Sequence, residues 1–568
     1  MSEAASTEPP HPPPQAGEGG VGAAAAAYEA GRFEAAERIC IAVLGRDPDE
    51  FDATRLLALL QHRAGRCVEA LASCDRALAL WPSHAETLSN RGNVLSDLKR
   101  FAEALASYDK ALRIEPDFAE AHYNRGLLLK RLKRFEEALA SLDRALAIRA
   151  DHAQAHNTRG NVLYELDRCA EALASYDKTL AIRPDFAEAL NNRAVALYRT
   201  RQFAEALASY DQAIAVRPDY AEAFNNRGIV LKELRRVEDA LASYGRAQQL
   251  ASDYADAHWN EALLRLLIGD FAAGLAKYEW RWRRANFTSP LRNFPQPQWD
   301  GTEALDGKTI LLHGEQGFGD VIQFCRYVPQ VAARGARVML EVAESLCGLV
   351  GSLGAAQIIA AGARLPAFDL HCPLMSLPLA FGTRLDTIPA AVPYLAPPAD
   401  AAAAWEARLG PRTRPRIGIA WAGNPRQEND RNRSASLKAL VPLLDIDATF
   451  VSLQKDLRAG DGALLKARAD IMNLGGALAD FSDAAALVSR MDAVVSVDTS
   501  IAHLAGALGK PVLVLLCFTP DWRWLIGGDT NPWYPTARLF RQAQPQDWDA
   551  PVAQAAATLK AMLPQGNG

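Results

Sequence analysis

Small and hydrophobic residues recur along the first half of the chain with one long period. The string Ala-Leu-Ala-Ser-x-Asp begins at Ala70, Ala104, Ala138, Ala172 and Ala206 and returns as Ala-Leu-Ala-Ser-Tyr-Gly at Ala240, always 34 residues apart. Within each period an Arg-Gly or close variant recurs, at Arg91-Gly92, Arg125-Gly126, Arg159-Gly160, Arg193-Ala194 and Arg227-Gly228, and a proline closes the unit at Pro82, Pro116, Pro184 and Pro218. Small residues let two helices touch and proline ends the second, so each period predicts a helix pair and the run predicts a solenoid. Weaker copies, Phe33 to Ala36 with Pro48 and Gly269 to Phe271 with Leu275 and Tyr278, extend it to about eight pairs over residues 18–285. Ala150 and Ser252 stand where the closing proline is expected.

Past Trp280-Arg281-Trp282 the helical period stops. A connector over 286–307, Pro-rich from Pro290 to Trp299, leads into the short apolar run Thr309 to His313, which predicts a buried strand. Gly314, Gly317 and Gly319 then allow a tight turn, and an amphipathic helix starts at Asp320. Further strands are predicted at Arg337 to Val342, Gln357 to Ala360 and Phe368 to Cys372, completing a unit over 308–398. An Ala- and Pro-rich stretch, 399–415, predicts a hinge holding a short helix around Trp405. A second unit over 416–568 follows, with strands at Arg416 to Trp421, Thr449 to Leu453, Ile471 to Leu474, Ala493 to Val497 and Val512 to Leu516 and a last helix near Val552 to Met562. Strands alternating with helices imply parallel sheets. The predicted fold is therefore an all-α solenoid followed by a pair of Rossmann-type α/β domains, with a ligand cleft at the carboxyl ends of the strands.

Composition narrows the function. At 568 residues the chain is too long for one core, and 49% hydrophobic with 23% charged residues suits globular domains. Only residues 1–17, with Pro9 to Pro14, read as a disordered tail. A net charge of −5 gives no basic field for nucleic acid. The eight cysteines form no Cys-x-x-Cys and no cluster at zinc spacing, which predicts a reducing compartment and no structural metal. No apolar run approaches the ~20 residues of a membrane span. The acidic, Pro-rich start lacks the blocks of a secretory signal, so a cytoplasmic location is expected.

In the unit that starts at Ala85, the residues Gly92, Leu95, Ala104, Tyr108, Ala111 and Pro116 resemble the tetratricopeptide repeat (TPR) signature. The concave face of a TPR array is lined by first helices, and two positions before each Gly or Ala stand Asn90, Asn124, Thr158, Asn192, Asn226 and Asn260. A carboxamide offers a donor and an acceptor, so such a row can bond an extended peptide backbone without reading its sequence. The row resembles the asparagine ladder in the TPR arm of protein O-GlcNAc transferases, which implies a polypeptide or protein partner in the groove. In the alternative, each Asn bonds a neighbouring helix as packing. Thr158 breaks the row.

The stretch Val495 to Pro511 contains Asp498-Thr499-Ser500-Ile501-Ala502-His503, where a strand runs straight into a helix. The helix start offers unpaired N–H groups and a positive dipole end, which suit a diphosphate. Asp498, Thr499 and Ser500 equally suit helix caps, and His503 equally suits a buried structural histidine. This stretch resembles the donor-site motif of the heptosyltransferase-like glycosyltransferases, a GT-B fold family akin to glycosyltransferase family 9, and Gly317 to Gln323 resembles that family's N-terminal Gly-Asp-Val motif. The resemblance covers residues 308–545. It implies that Asp320, otherwise a helix cap, is the base of an inverting, metal-independent sugar transfer, that Gly317 and Gly319 shape its turn, and that Asp498, Thr499, Ser500 and His503 bind a nucleotide-sugar donor. That donor is a substrate, and no cofactor is implied. The loop from Trp421 to Ser434 supplies cations, with either Arg431 or Arg433 on phosphate or each a surface charge, while Gln454 and Lys455 face the base edge or form a surface turn. No Gly-Lys-Ser/Thr follows the glycines, which excludes a P-loop. Two functions stay open: a glycosyltransferase acting on an acceptor, plausibly a polypeptide, presented by the TPR arm, and a non-catalytic TPR scaffold with a degenerate GT-B-like domain.

Overall fold

The computed structural model describes residues 20–289, 291–315, 317–427, 429–468 and 470–563. The expected disordered tail and Pro290, where the Pro-rich connector starts, lie outside the described residues. Two compact units divide at Val230/Leu231, inside the repeat array. Among the described residues, sixteen helices form eight pairs, from Val21–Glu29 with Phe33–Leu44 to Ala255–Leu267 with Phe271–Tyr278.

The repeated string has a direct physical origin. Each first-helix arginine reaches two second helices at once: Arg125 donates to Asp109 at 2.7 Å and Ser141 at 2.5 Å, Arg159 to Asp143 at 2.6 Å and Ser175 at 2.7 Å, and Arg193 to Asp177 at 2.7 Å and Ser209 at 2.6 Å. The serine belongs to the arginine's own repeat and the aspartate to the repeat before it, so the Ser-x-Asp spacing ties neighbours together. The glycine beside the arginine is a contact point: a Cβ on Gly92 or Gly160 would stand 2.5 Å from the ring of Tyr108 or Tyr176. The last pair changes the set. Glu261 stands in the arginine position and is bonded by Arg265 and Gln248 at 2.6 Å and by Lys277, in the serine position, at 2.8 Å, while Gly245 replaces the aspartate.

The turn inside each pair is left-handed at one residue, a glycine at Gly31, Gly65 and Gly269 but Lys99, Lys133, Asp167, Arg201 and Arg235 elsewhere, with φ between 56° and 63°. A side chain there is strained, since Cβ crowds the following carbonyl.

The α/β part holds two parallel sheets. The first has β1 (Thr309–His313), β2 (Arg337–Val342), β3 (Gln357–Ala360) and β4 (Leu370–Pro373) in the order β3-β2-β1-β4. The second has β5 (Arg416–Ala420), β6 (Thr449–Ser452), β7 (Ile471–Asn473), β8 (Ala493–Val497), β9 (Val512–Leu516) and β10 (Ala537–Arg541) in the order β10-β9-β8-β5-β6-β7. β5, β8 and β9 are buried along their whole length, as strands covered on both faces must be. β4 starts two residues later than expected, because Asp369 turns its carboxylate onto the Thr309 N–H at 2.8 Å. β10 escapes the sequence pattern: it lies at a sheet edge, and two of its five residues are arginines. The last helix spans Asp549–Met562, and Ala399–Leu409 forms the helix around Trp405. No helix among the described residues is long and apolar enough to cross a membrane.

Replacing the exposed Lys133 by Gly relieves the left-handed strain at no cost in contacts, so Lys133→Gly is expected to stabilise the array by about 0.5–1 kcal/mol. Urea unfolding followed by far-UV circular dichroism checks this; a lower midpoint than the parent contradicts it.

Candidate active site

Both motifs leave the carboxyl ends of strands at which the sheet order reverses, the usual ligand position in open α/β sheets. β1 lies between β2 and β4 and leads toward Gly317 and Asp320; β8 lies between β5 and β9 and runs into Asp498–Ser500. Gly317, at φ +88°, precedes the helix Phe318–Phe324, and a Cβ there would collide with Asp320 Oδ2. Gly319 is the point of closest approach to the second sheet's motif: its Cβ would stand 2.9 Å from His503 Cδ2 and 3.6 Å from Ser500 Cα. Glycines at these positions let the two motifs face each other.

Asp320 Oδ1 accepts from Arg523 Nη2 at 2.6 Å, and its side chain keeps 25% exposure. Arg523 sits in the turn Trp522–Trp524, donates also to Asp521 Oδ1 at 2.8 Å, and lies over the Trp522 ring at 4.7 Å. Burial pushes the Asp320 carboxyl up to about 6; Arg523 pulls it down, while Asp521, Glu315 and Asp498 add to the rise. Asp498 is raised by burial and by Asp521.

Thr499 precedes the helix Ser500–Ala507 in extended geometry, but its side chain does not cap the helix; its Oγ1 lies 3.0 Å from Ser496 Oγ. Ser500 begins the first turn, whose N–H groups point away from the helix body, as at any helix start. His503 is buried, with Nδ1 3.1 Å from the Tyr534 hydroxyl and its ring stacked on Trp524 at 5.1 Å. Burial, with Arg523, Arg326 and Arg433 nearby, holds this imidazole well below its ordinary value, so it is neutral.

The loop after β5 separates the two arginines. Arg433 turns inward and donates to the Asp498 carbonyl at 3.1 Å, whereas Arg431 is exposed and its carbonyl accepts from Gln546. Gln454 is buried and does not form the surface turn that the sequence left open for it. Its Oε1 accepts from the N–H groups of Trp421 and Ala422 at 3.1 and 3.0 Å, and its Nε2 donates to the carbonyls of Ala422 and Asp456 at 2.9 and 3.1 Å, so the carboxamide is spent on holding the β5 loop. Lys455 beside it is exposed.

The ladder residues Asn90, Asn124, Asn192, Asn226 and Asn260 are all half-buried, and Thr158 is buried. Asn192 donates to Asn157 at 3.2 Å and Asn226 to Asn191 at 3.4 Å, so there part of the carboxamide capacity links one repeat to the next.

Sequence reasoning missed Arg523, which faces Asp320, and Arg458, which donates to the buried Asp430 and to the Gly423 carbonyl. The available signal for Arg523 was its place between Trp522 and Trp524, the same arrangement as at Trp280-Arg281-Trp282.

Residues 462–549, which include the Asp498 to His503 motif, match the family model for glycosyltransferase family 9 (heptosyltransferase). Tetratricopeptide repeat models match residues 21–85, 117–185, 157–221 and 196–255, and a TPR repeat model matches 92–133. Protein FlbA of Caulobacter vibrioides is 26% identical over 326 residues, 53% of this chain and 54% of that protein, so the chain spans about half the length of this curated relative. Among solved structures, YrrB, a TPR protein with an unusual peptide-binding site, is 25% identical and matches 32% of this chain and 95% of its own at a TM-score of 0.29. A tetratricopeptide repeat protein from Parabacteroides merdae is 20% identical, matching 43% of this chain and 96% of its own at a TM-score of 0.35.

Gln454→Ala leaves buried backbone groups of the β5 loop unpaired and is expected to destabilise its domain by roughly 1–3 kcal/mol in thermal or urea unfolding. Unchanged stability together with weakened nucleotide binding would return Gln454 to the ligand.

Proposed function

We propose that the protein is an inverting glycosyltransferase that moves a sugar from a nucleoside-diphosphate donor to an acceptor hydroxyl, with Asp320 as base. The observation that carries this reading is the position of Asp320: it lies on the first sheet's turn, opposite the helix start at Ser500 and beside Arg523 of the second sheet. In the proposed reaction the ionised Asp320 takes the acceptor's proton, the oxygen attacks the anomeric carbon from the face opposite the diphosphate, and the carbon–oxygen bond to the diphosphate breaks. The departing charge meets the Ser500 helix start, Arg433 and Arg523. These groups supply the counter-charge a divalent ion would otherwise give, so the reaction is proposed to run without one. The acceptor is proposed to be a polypeptide lying along the half-buried asparagines of the TPR array. The eight cysteines are all free thiols, which suits the cytoplasmic location proposed for it.

One observation favours the rival, a non-catalytic scaffold: the Asp320 carboxylate is already engaged by Arg523. Release of nucleotide from a panel of nucleotide sugars separates the two. The transferase reading expects release by the parent protein that survives a metal chelator and falls by about 100-fold or more in Asp320→Asn; no release from any donor supports the scaffold.

The pH dependence has a defined sign. The base works ionised, so the rate is expected to fall as pH drops through about 6, where Asp320 takes up its proton. Arg523→Met removes the cation that pulls this carboxyl down, so the acid limb of kcat/KM is expected to move to higher pH; a limb that stays in place contradicts the assignment of Asp320 as base.

A further inference from the structure

Asp320 and Arg523 are each held from the end of the repeat array, by its last two helix pairs and the turn that follows them. After Phe271–Tyr278 the chain makes a single 3₁₀ turn, Glu279–Arg283. Arg281 in this turn has 0% exposure and spends its whole guanidinium on neighbours. It forks onto Glu315 with Nε and Nη2 both at 2.8 Å, donates to Glu279 at 2.6 Å and to Ser376 at 2.7 Å, and lies between the rings of Tyr278 and Trp282. Glu315 is 1% exposed and stands in the β1 turn, two residues before Gly317 and five before Asp320. A bidentate buried pair at that point leaves the turn little freedom.

Arg523 is held in parallel. Arg235, at the left-handed turn between two earlier helices, donates to the carbonyls of Phe518 and Ile526 at 2.5 and 3.3 Å, and the Ile526 N–H donates to the Leu267 carbonyl at 2.9 Å. These two anchors bracket the segment that carries Arg523. Between them Phe271 stacks on Trp533 at 6.0 Å and meets Trp522 edge-on at 5.9 Å.

We propose that the last two helix pairs of the array position the catalytic machinery, with Arg281 acting through Glu315 as the residue that sets Asp320. The inference rests on Asp320 acting as the base, as proposed above. Arg281 and Glu315 are positioning residues: neither is placed on substrate. A buried ion pair of this kind adds little net stability when compared with an apolar pair of similar volume, so its role shows in geometry rather than in melting.

The test uses the full chain with Arg281→Met/Glu315→Met, which exchanges the buried pair for an apolar one. Two quantities are read: kcat and KM for a donor that the parent turns over, and hydrogen–deuterium exchange of residues 309–324 with residues 493–507 as internal reference. The expected result is exchange about 10-fold or more faster in 309–324 with the reference unchanged, and kcat lower by about 100-fold with KM within about twofold. Exchange and kcat both within about twofold of the parent overturn the proposal. If the double variant does not fold, Arg281→Lys, which keeps the charge and loses the fork, is judged by the same two criteria. If the parent releases nucleotide from no donor, the transferase reading fails and the exchange of 309–324 alone decides the positioning role.

Discussion

One ion pair, Asp320 with Arg523 at 2.6 Å, joins two sheets that share no strand. Arg523 also holds Asp521, so its charge is shared between two carboxylates. Burial lifts the Asp320 carboxyl to about 6, where a carboxylate becomes a useful base near neutral pH. The surroundings follow from the need to bring these groups together. Gly317 makes room for the carboxylate, Gly319 lets its helix touch His503 and Ser500, and the neutral His503 packs between Trp524 and Tyr534 without adding a competing charge.

The repeat array solves a different problem by the same means. Each arginine bonds a serine of its own repeat and an aspartate of the repeat before, so a local sequence rule becomes a rule for stacking. Individually these partly exposed pairs are weak, but they recur from Arg91 to Arg227 and set register. Where the array meets the α/β domains, the rule gives way to Glu261 with Lys277 and then to the fully buried Arg281. The change from half-exposed to buried charge marks the passage from a stacking surface to a core.

Much of this was legible in the sequence. The period of 34 residues and the parallel strands are encoded locally, in spacing and in short apolar runs, and these appear in the structure. What escaped depends on contacts between segments distant in the chain. Arg523 lies 203 positions from Asp320, and nothing local marks it as the partner. Gln454 follows a strand next to a lysine, as a surface turn would, yet it folds inward, where three backbone groups of the β5 loop and the Asp456 carbonyl take up its carboxamide. Arg431 and Arg433 differ by two positions on the short helix Asp430–Arg433, and it is Arg433 that reaches the Asp498 carbonyl, 65 positions away.

The most direct measurement is a crystal structure of the full chain with a bound nucleoside diphosphate. The account predicts the terminal phosphate at the N–H groups that open the Ser500–Ala507 helix, with Arg433 and Arg523 on its oxygens and Asp320 facing the space beyond. A nucleotide bound elsewhere, or phosphates out of reach of both arginines, would contradict it.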